Sequence, residues 1–323
     1  MSSIMTNGAA IAALASLRAI NSALDQSQIR ISSGYRVGSA ADNAAYWSIA
    51  TTMRSDERAM GAAGDALALG AATVDTAYSG MAAAVEIVDE FKAKLVAARQ
   101  PGVDKEKINT ELTQLKEQLR TIVDSSSFSG QNWLEWNTAA DSDDKTIVSS
   151  FVRDAAGAIR LDTLKYDVTT GVGVTGINYL IDNGGAGQYG ILTSDAFATS
   201  VGAGSAFVIL KGASNPPSTV EIILTQATTE TEVEDMVKTV DAMLLRMTDV
   251  TATLGALKSR IDIQNEFLNQ LRSAVEVGVG QLVDADMNEE ATRMKALQTQ
   301  QQLGIQALSI ANSNAQNILS LFR

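Results

Sequence analysis

Residues 46–95 read YWSIATTMRSDERAMGAAGDALALGAATVDTAYSGMAAAVEIVDEFKAKL. Every seventh residue of this stretch, Tyr46, Met53, Met60, Leu67, Val74, Met81, Val88 and Leu95, is apolar. A companion series offset by four, Ala50, Gly64, Ala71, Tyr78 and Val85, fills the other half of a heptad and is interrupted only by Glu57. No proline occurs before Pro101. A repeat this long describes a helix that cannot bury its stripe against itself and needs partner helices along most of its length. An ordinary amphipathic core helix, usually about 8 to 20 residues, is too short to account for it. The methionines at 53, 60 and 81 are read as adaptable packing in that seam.

Upstream, Leu14, Leu17, Ile20, Leu24 and Ile31 follow Ile11 at three- and four-residue spacing and mark one helical face. Only Arg18 and Asp25 are charged between Met1 and Ile29. Ser32, Ser33 and Gly34 end that helix, because serine competes for the backbone and glycine loses most entropy there. A bent connection is expected from Ser32 to Asp42, with Asp42 or Asn43 capping the long helix. Pro101-Gly102 stops the long helix near Gln100. Asp104 then opens another, whose stripe Ile108, Leu112, Leu115, Leu119 and Ile122 suits an antiparallel return. Ser125 to Gly130 closes it.

Between Thr138 and Glu232 the character changes, with eleven glycines and two of the three prolines. Short apolar runs at 146–152, 206–210 and 220–224 read as strands, and Asn215-Pro216-Pro217-Ser218 as the turn between the last two. Eleven acidic against five basic residues give this insertion half of the chain's net charge of -12, so it is expected to face water. Helical periodicity resumes at Val233. There Val250, Leu257, Gln264 and Leu271 alternate with Leu254, Ile261, Leu268 and Val275, a second heptad seam to partner the first. After Asp284-Ala285-Asp286 comes a last helix with Met294, Leu297, Ile305, Leu308, Ala311 and Ile318. It carries no charge from Ala296 to Phe322.

The expected fold is mainly α with a β-rich insertion, its N- and C-terminal helices paired into a long coiled-coil hairpin. Residues 1–41 and 287–323 form an inner terminal domain, 42–137 and 233–286 a heptad shell, and 138–232 an outer, mostly β domain. Two charge-poor amphipathic ends expose too much apolar surface for a monomer and are expected to finish their packing against other copies.

Composition excludes much chemistry. There is no cysteine and no histidine among 323 residues, which removes thiol nucleophiles, disulfides, imidazole bases and the commonest metal ligands. The acidic balance excludes a nucleic-acid partner, which needs clustered Lys and Arg. No membrane segment is expected, since the apolar stretch Ala9 to Ala15 is too short for a span and no basic residue precedes it as in a cleavable signal. Export, if it occurs, must use a route that does not read such a peptide. Gly171-Val172-Gly173-Val174-Thr175-Gly176 matches G-x-G-x-x-G, but no helix follows to hold a phosphate, and it reads as a strand connection. Asp141, Asp143 and Asp144 lack the glycine and bidentate acid of a calcium loop. No cofactor and no enzyme are expected.

Both ends of the chain resemble the bacterial flagellins. The resemblance rests on Ile29-Arg30-Ile31-Ser32-Ser33-Gly34-Tyr35-Arg36-Val37, Ser39-Ala40, Asp42-Asn43-Ala44-Ala45 and the closing Asn317-Ile318-Leu319-Ser320-Leu321-Phe322-Arg323. It spans Met1 to Leu134 and Val233 to Arg323, and Tyr46-Trp47 with Phe128 to Leu134 are most similar to rhizobial and other alphaproteobacterial members. The resemblance implies a secreted, extracellular subunit of the flagellar filament. It would leave by the flagellar type III apparatus and self-assemble into a hollow helical tube for swimming, alone or with related flagellins. An export chaperone, the filament cap and hook-associated junction proteins are the implied partners. The implied assembly interface is Ile11, Leu14, Leu17, Ile20, Leu24, Ile31, Ile305, Leu308, Ile318, Leu319, Leu321 and Phe322. The implied shell seam is Met53, Met60, Leu67, Val74, Met81 and Val88 with Leu254, Leu257, Ile261, Leu268 and Leu271.

A hook-filament junction protein shares the nested ends and is the alternative, though the Ile31 to Ala45 block and the closing residues favour flagellin. A chemoreceptor-like coiled coil shares only the heptads. The resemblance also implies weak or no activation of host flagellin receptors. The segment that plants perceive, Ile29 to Ala50, has Ala41, Asn43 and Tyr46 where the family carries lysine, aspartate and glycine. The patch read by the animal Toll-like receptor has Asp89-Glu90 in place of glutamine-arginine, and Lys94 in place of an apolar residue.

Overall fold

A computed structural model describes residues 7–136, 144–154, 156–168, 176–183, 189–212 and 215–321, the side chains of 314–321 excepted. The dinucleotide-like glycines up to residue 175, and Asp141 and Asp143, lie outside the described residues. Two compact units divide the chain: residues 59–270, and the segments 1–58 and 271–323. Helices α2 (Ala44–Ala98) and α5 (Glu230–Val283) run through both.

In the unit 59–270, α2 and α5 lie antiparallel. Lys92 meets Asp241 at 2.5 Å, Arg99 meets Glu234 at 3.2 Å and Lys258 meets Asp75 at 2.6 Å. The step of seven from Lys92 to Arg99 is answered by seven back from Asp241 to Glu234, which is the heptad register of a paired seam. Met60, Leu67, Val74, Met81, Val88 and Leu95 of α2 are buried, and all but Met60 share one core with Leu254, Leu257, Ile261 and Leu268 of α5. The companion series differs from the expectation. Ala50 is buried, but Gly64, Ala71, Tyr78 and Val85 are only half-buried, while Ala63, Ala77, Ala84, Phe91 and Ala98, offset by three, are buried. Alanine and glycine populate both offsets, so apolar periodicity alone does not choose between them.

Helix α3 (Lys105–Ser125) starts where Asp104 Oδ1 accepts the amides of Glu106 and Lys107 at 3.1 and 3.4 Å. It buries Leu112, Leu115, Leu119 and Val123. A tight pair, β1 (Ser127–Phe128) with β2 (Gln131–Asn132), follows through Ser129 and Gly130, both at positive φ. Helix α2 comes close to this region at Gly80, where a Cβ would sit 2.1 Å from Ser126 Oγ and 2.8 Å from Leu134 Cδ1. Only glycine allows that approach.

The insertion contains less strand than its runs suggest. One long hairpin forms, β4 (Asp144–Arg153) with β5 (Ile159–Asp167), bulged between Val148 and Ser150. The other described elements are the short helix α4 (Ala196–Ser200) and two-residue strands: β3 (Glu135–Trp136) pairs with β6 (Ile181–Asp182), and β7 (Phe207–Val208) with β8 (Val220–Glu221). That last pairing is parallel, so the proline turn at 215–218 belongs to a crossover and not to a hairpin. Burial, more than strand ladders, holds these segments. Ile209, Leu210, Ile222 and Leu224 are buried in one core with α2, α3 and α5. Trp133 stacks on Tyr166 at 5.4 Å, and Arg246 Nε donates to Ile177 O at 2.9 Å. Lys116, buried on α3, donates to Glu221 at 2.7 Å and to Ile222 O at 2.6 Å. Burial pushes its ammonium down, and Glu221 partly offsets that.

Helix α5 begins at Glu230, three residues before its apolar repeat. Thr229 and Glu232 form a reciprocal capping box there: Thr229 Oγ1 accepts from Glu232 N at 3.2 Å and Glu232 Oε2 accepts from Thr229 N at 2.7 Å.

Candidate assembly interface

The segments 1–58 and 271–323 supply the two terminal helices, α1 (Gly8–Ser33) and α6 (Met287–Leu321). Asn7 caps α1 through Ala10 N at 3.1 Å, and Gly34 ends it at φ 77° with its N–H on Arg30 O. Asp286 Oδ1 caps α6 through the amides of Asn288 and Glu289, 2.8 and 3.3 Å away. Next to α1, Asn43 caps α2 through Ala45 N and Tyr46 N, both at 3.1 Å. The connectors following α1 and preceding α6 are stitched together. The amides of Arg36 and Val37 donate to Val283 O, and Ala285 N donates to Gly34 O at 2.9 Å. Val37, Ala50, Val279 and Val283 form a small core beside them.

Helices α1 and α6 pair antiparallel along their lengths. Asn7 Nδ2 donates to Ala311 O at 3.0 Å, and Gln301 Nε2 to Asn21 Oδ1 at 2.7 Å. Near the other end Ser27 Oγ donates to Glu290 Oε2 at 2.7 Å. Leu24 is buried, and Leu17, Ile20 and Ile31 on α1 and Leu308 on α6 are half-buried. Ile11, Leu14 and Ile305, taken from the sequence with the same set, are 61%, 38% and 55% exposed. Ile29, Leu303 and Ile310, which the sequence reading did not select, are exposed as well. Ile318, Leu319 and Leu321 lie on α6 with side chains outside the description, and Phe322 lies beyond it. Two helices alone can bury only one stripe each. The remaining faces are poor in charge and set exposed Ile11, Leu14, Ile29, Leu303, Ile305 and Ile310 among uncharged polar residues, the form that a surface awaiting a partner takes.

Ser27 and Glu290 escaped the sequence reading. Glu290 sits in an acidic first turn that reads as helix-dipole decoration, yet it is 5% exposed and accepts from Ser27, from Arg30 at 3.1 Å and from Arg293 at 3.2 Å. Burial by itself would raise its carboxyl pKa, but the Ser27 hydroxyl and the two guanidinium groups outweigh it and hold the group below the ordinary glutamate value.

On the seam helices, Met53 is half-buried beside Gly278, and Leu271 is half-buried on α5. Asp89 and Glu90 are exposed on α2, and Lys94 is bonded to Glu111 at 2.7 Å, which raises its pKa. Among the described residues no cluster of three acidic side chains could hold a metal ion, and no helix is long and apolar enough to cross a membrane.

The family model for the bacterial flagellin N-terminal helical region matches residues 4–139, and the model for the C-terminal helical region matches 237–322. Flagellin C of Rhizobium meliloti strain 1021 is 52% identical over 328 residues, with all of both chains covered. Flagellin A of the same strain is 44% identical over 394 residues, and flagellin of Brucella melitensis biotype 1 is 39% identical over 324, again with full coverage of each chain. The crystal structure of Bacillus cereus flagellin is a distant likeness, with TM-score 0.39 and 15% identity over 62% of this chain and 86% of that one. On the two matching helical regions and the full-length relatives, the chain belongs to the bacterial flagellin family.

Proposed function

We propose that this structural subunit of the flagellar filament polymerises by covering the outer faces of α1 and α6 with the same helices of neighbouring copies. The observation that carries the proposal is the set of exposed Ile11, Ile29, Leu303, Ile305 and Ile310 on helices poor in charge, with none on α6 from Ala296 onward. In water these faces are a liability; packed in a tube they are the driving force. On this reading 1–41 with 287–323 form the inner wall, 42–137 with 233–286 the shell, and 138–232 the outer surface. The subunit leaves the cell through the flagellar type III apparatus. It meets an export chaperone, the cap and the junction proteins on the way, and related flagellins join it in the filament. Seeded polymerisation followed by electron microscopy tests the interface. Ile305→Asp should leave a helical monomer that does not elongate seeds, and normal tubes from that variant would overturn it.

The same reading includes weak or no activation of host flagellin receptors. Asp89 and Glu90 present two exposed carboxylates where the animal receptor meets glutamine and arginine in other family members, so like charges face each other. Reporter cells given purified monomer should respond weakly, and Asp89→Gln with Glu90→Arg should raise the response. A wild-type response equal to that of an enteric flagellin would sink this part.

A further inference from the structure

We propose that Ser27, Arg30, Glu290 and Arg293 form a register pin, which fixes the offset at which α6 seats on α1 when the terminal helices come together. The proposal rests on the assembly reading above and adds to it the residues that make the pairing specific.

Apart from this cluster and the half-buried Gln301–Asn21 hydrogen bond, little in the α1/α6 contact discriminates one register from another. The residues facing inward on α1 include Ala10, Ala13, Leu17, Ile20, Asn21 and Leu24, and on α6 Leu297, Gln301, Gly304, Leu308 and Ala311. All are uncharged, and they recur at heptad spacing. Slide α6 by seven residues and Leu17 exchanges Gly304 for Ala311 or Leu297, while Asn21 exchanges Gln301 for Leu308 or Met294. Either slide still sets uncharged residues against uncharged residues, losing only the Gln301–Asn21 hydrogen bond and the close approach of Leu17 to Gly304. A filament whose innermost helices could slip in this way would have no single subunit geometry.

The cluster breaks that degeneracy. Glu290 is the buried carboxylate of the pair, and its two oxygens are divided between Ser27 on one side and the guanidinium groups of Arg30 and Arg293 on the other. Arg293 is itself held by Glu289 at 2.9 Å. A slide in one direction carries Glu290 in among Ile20 and Leu24, away from Ser27 and Arg30, with only Arg293 of its own helix still beside it. The opposite slide sets Leu297 against Ser27 and Arg30. A buried charge that loses its cross-helix partners costs more than the intact pair stabilises, so the pin acts mainly against wrong registers. A single polar position in an apolar helix seam is the best-attested device for this purpose.

Cysteine pairs can read the register directly, because the chain contains no cysteine of its own. Asn21→Cys with Gln301→Cys reports the native offset; Asn21→Cys with Leu308→Cys reports a seven-residue slip. Each pair is placed in the full-length chain, in the wild-type background and with Ser27→Ala plus Glu290→Met, and oxidised mildly as soluble protein and as filament. In the wild-type background the native pair should form at least about ten times more disulfide than the slipped pair, the advantage expected of a buried charge that keeps its partners. Removing the pin should bring the two yields within about threefold, since an apolar replacement favours no register. Glu290→Gln, which keeps shape and the Ser27 contact, should fall between, and it serves if the double variant fails to fold. An unchanged ratio in either variant overturns the pin. Failure of the wild-type chain to form tubes would overturn the assembly reading alone, because the ratio in the soluble chain still judges the pin.

Discussion

The α2/α5 seam and the α1/α6 pair are both antiparallel apolar contacts between long helices, yet only the first is closed. Leu67, Val74, Met81 and Val88 on α2 have no exposed surface at all, because α3 and the insertion cover the sides that α5 leaves open. On α1 only Leu24 and Ser27 are buried. The difference is the number of covering layers and not hydrophobicity. A helix with neighbours on two sides finishes its core within one chain, whereas a helix with a single neighbour keeps an apolar face for another molecule.

The sharpest way to break this comparison is to place the same charge in both contacts. Val74→Asp puts an unpaired carboxylate into a fully buried seam and should cost roughly 4 kcal/mol or more, enough to lose most of the unit's cooperative thermal transition. Leu308→Asp, at a half-buried position of the two-helix pair, should leave that transition nearly unchanged while abolishing seeded polymerisation. Circular dichroism melts read the first effect and electron microscopy the second; equal losses of stability would mean that α1 and α6 are as closed as the seam.

Glycines test the same contrast on a smaller scale. At Gly80 a new Cβ would lie 2.1 Å from Ser126 Oγ and 2.8 Å from Leu134 Cδ1, so Gly80→Ala should destabilise by about 1–3 kcal/mol in denaturant melts. Acid gives a third comparison. Glu290 is held below its ordinary value of 4.5, so its contribution is complete above that pH and is lost as pH falls through the lower folded value. Filaments should therefore loosen at the α1/α6 pair in acid, and Glu290→Gln should remove this step from a pH titration of Asn21→Cys/Gln301→Cys cross-linking. The smallest effect is expected at Gly304, where a Cβ meets only the flexible tip of Leu17, Cδ1 at 3.1 Å. Gly304→Ala should stabilise by less than about 1 kcal/mol through helix propensity, again read by melts.

Much of this could be read from the residues in order. The heptads from Met60 to Leu95, the caps at Asn43 and Asp104 and the stop at Pro101-Gly102 are local signals, and local backbone chemistry enforces them wherever the chain goes. The Thr229-x-x-Glu232 box was equally local and marks the true start of α5, although the apolar repeat, which begins later, pointed to Val233. The poverty of charge at both ends also announced that these helices need neighbours.

Other features depend on which surfaces meet. Whether Ala63 or Gly64 faces the seam depends on how α2 turns toward its neighbours, and two small apolar residues side by side carry no preference. The runs at 206–210 and 220–224 had strand composition, but their parallel pairing arises from packing between elements far apart in sequence. Glu290 makes the point most plainly. Its sequence neighbours describe a solvated helix start, and only the approach of α1 removes it from water and supplies the hydroxyl and guanidinium that make burial tolerable. Periodicity, caps and breakers are properties of neighbouring residues, so the sequence alone determined the helices; burial is a property of two surfaces, so only the tertiary structure decided which of their residues would be pins, knobs or open faces.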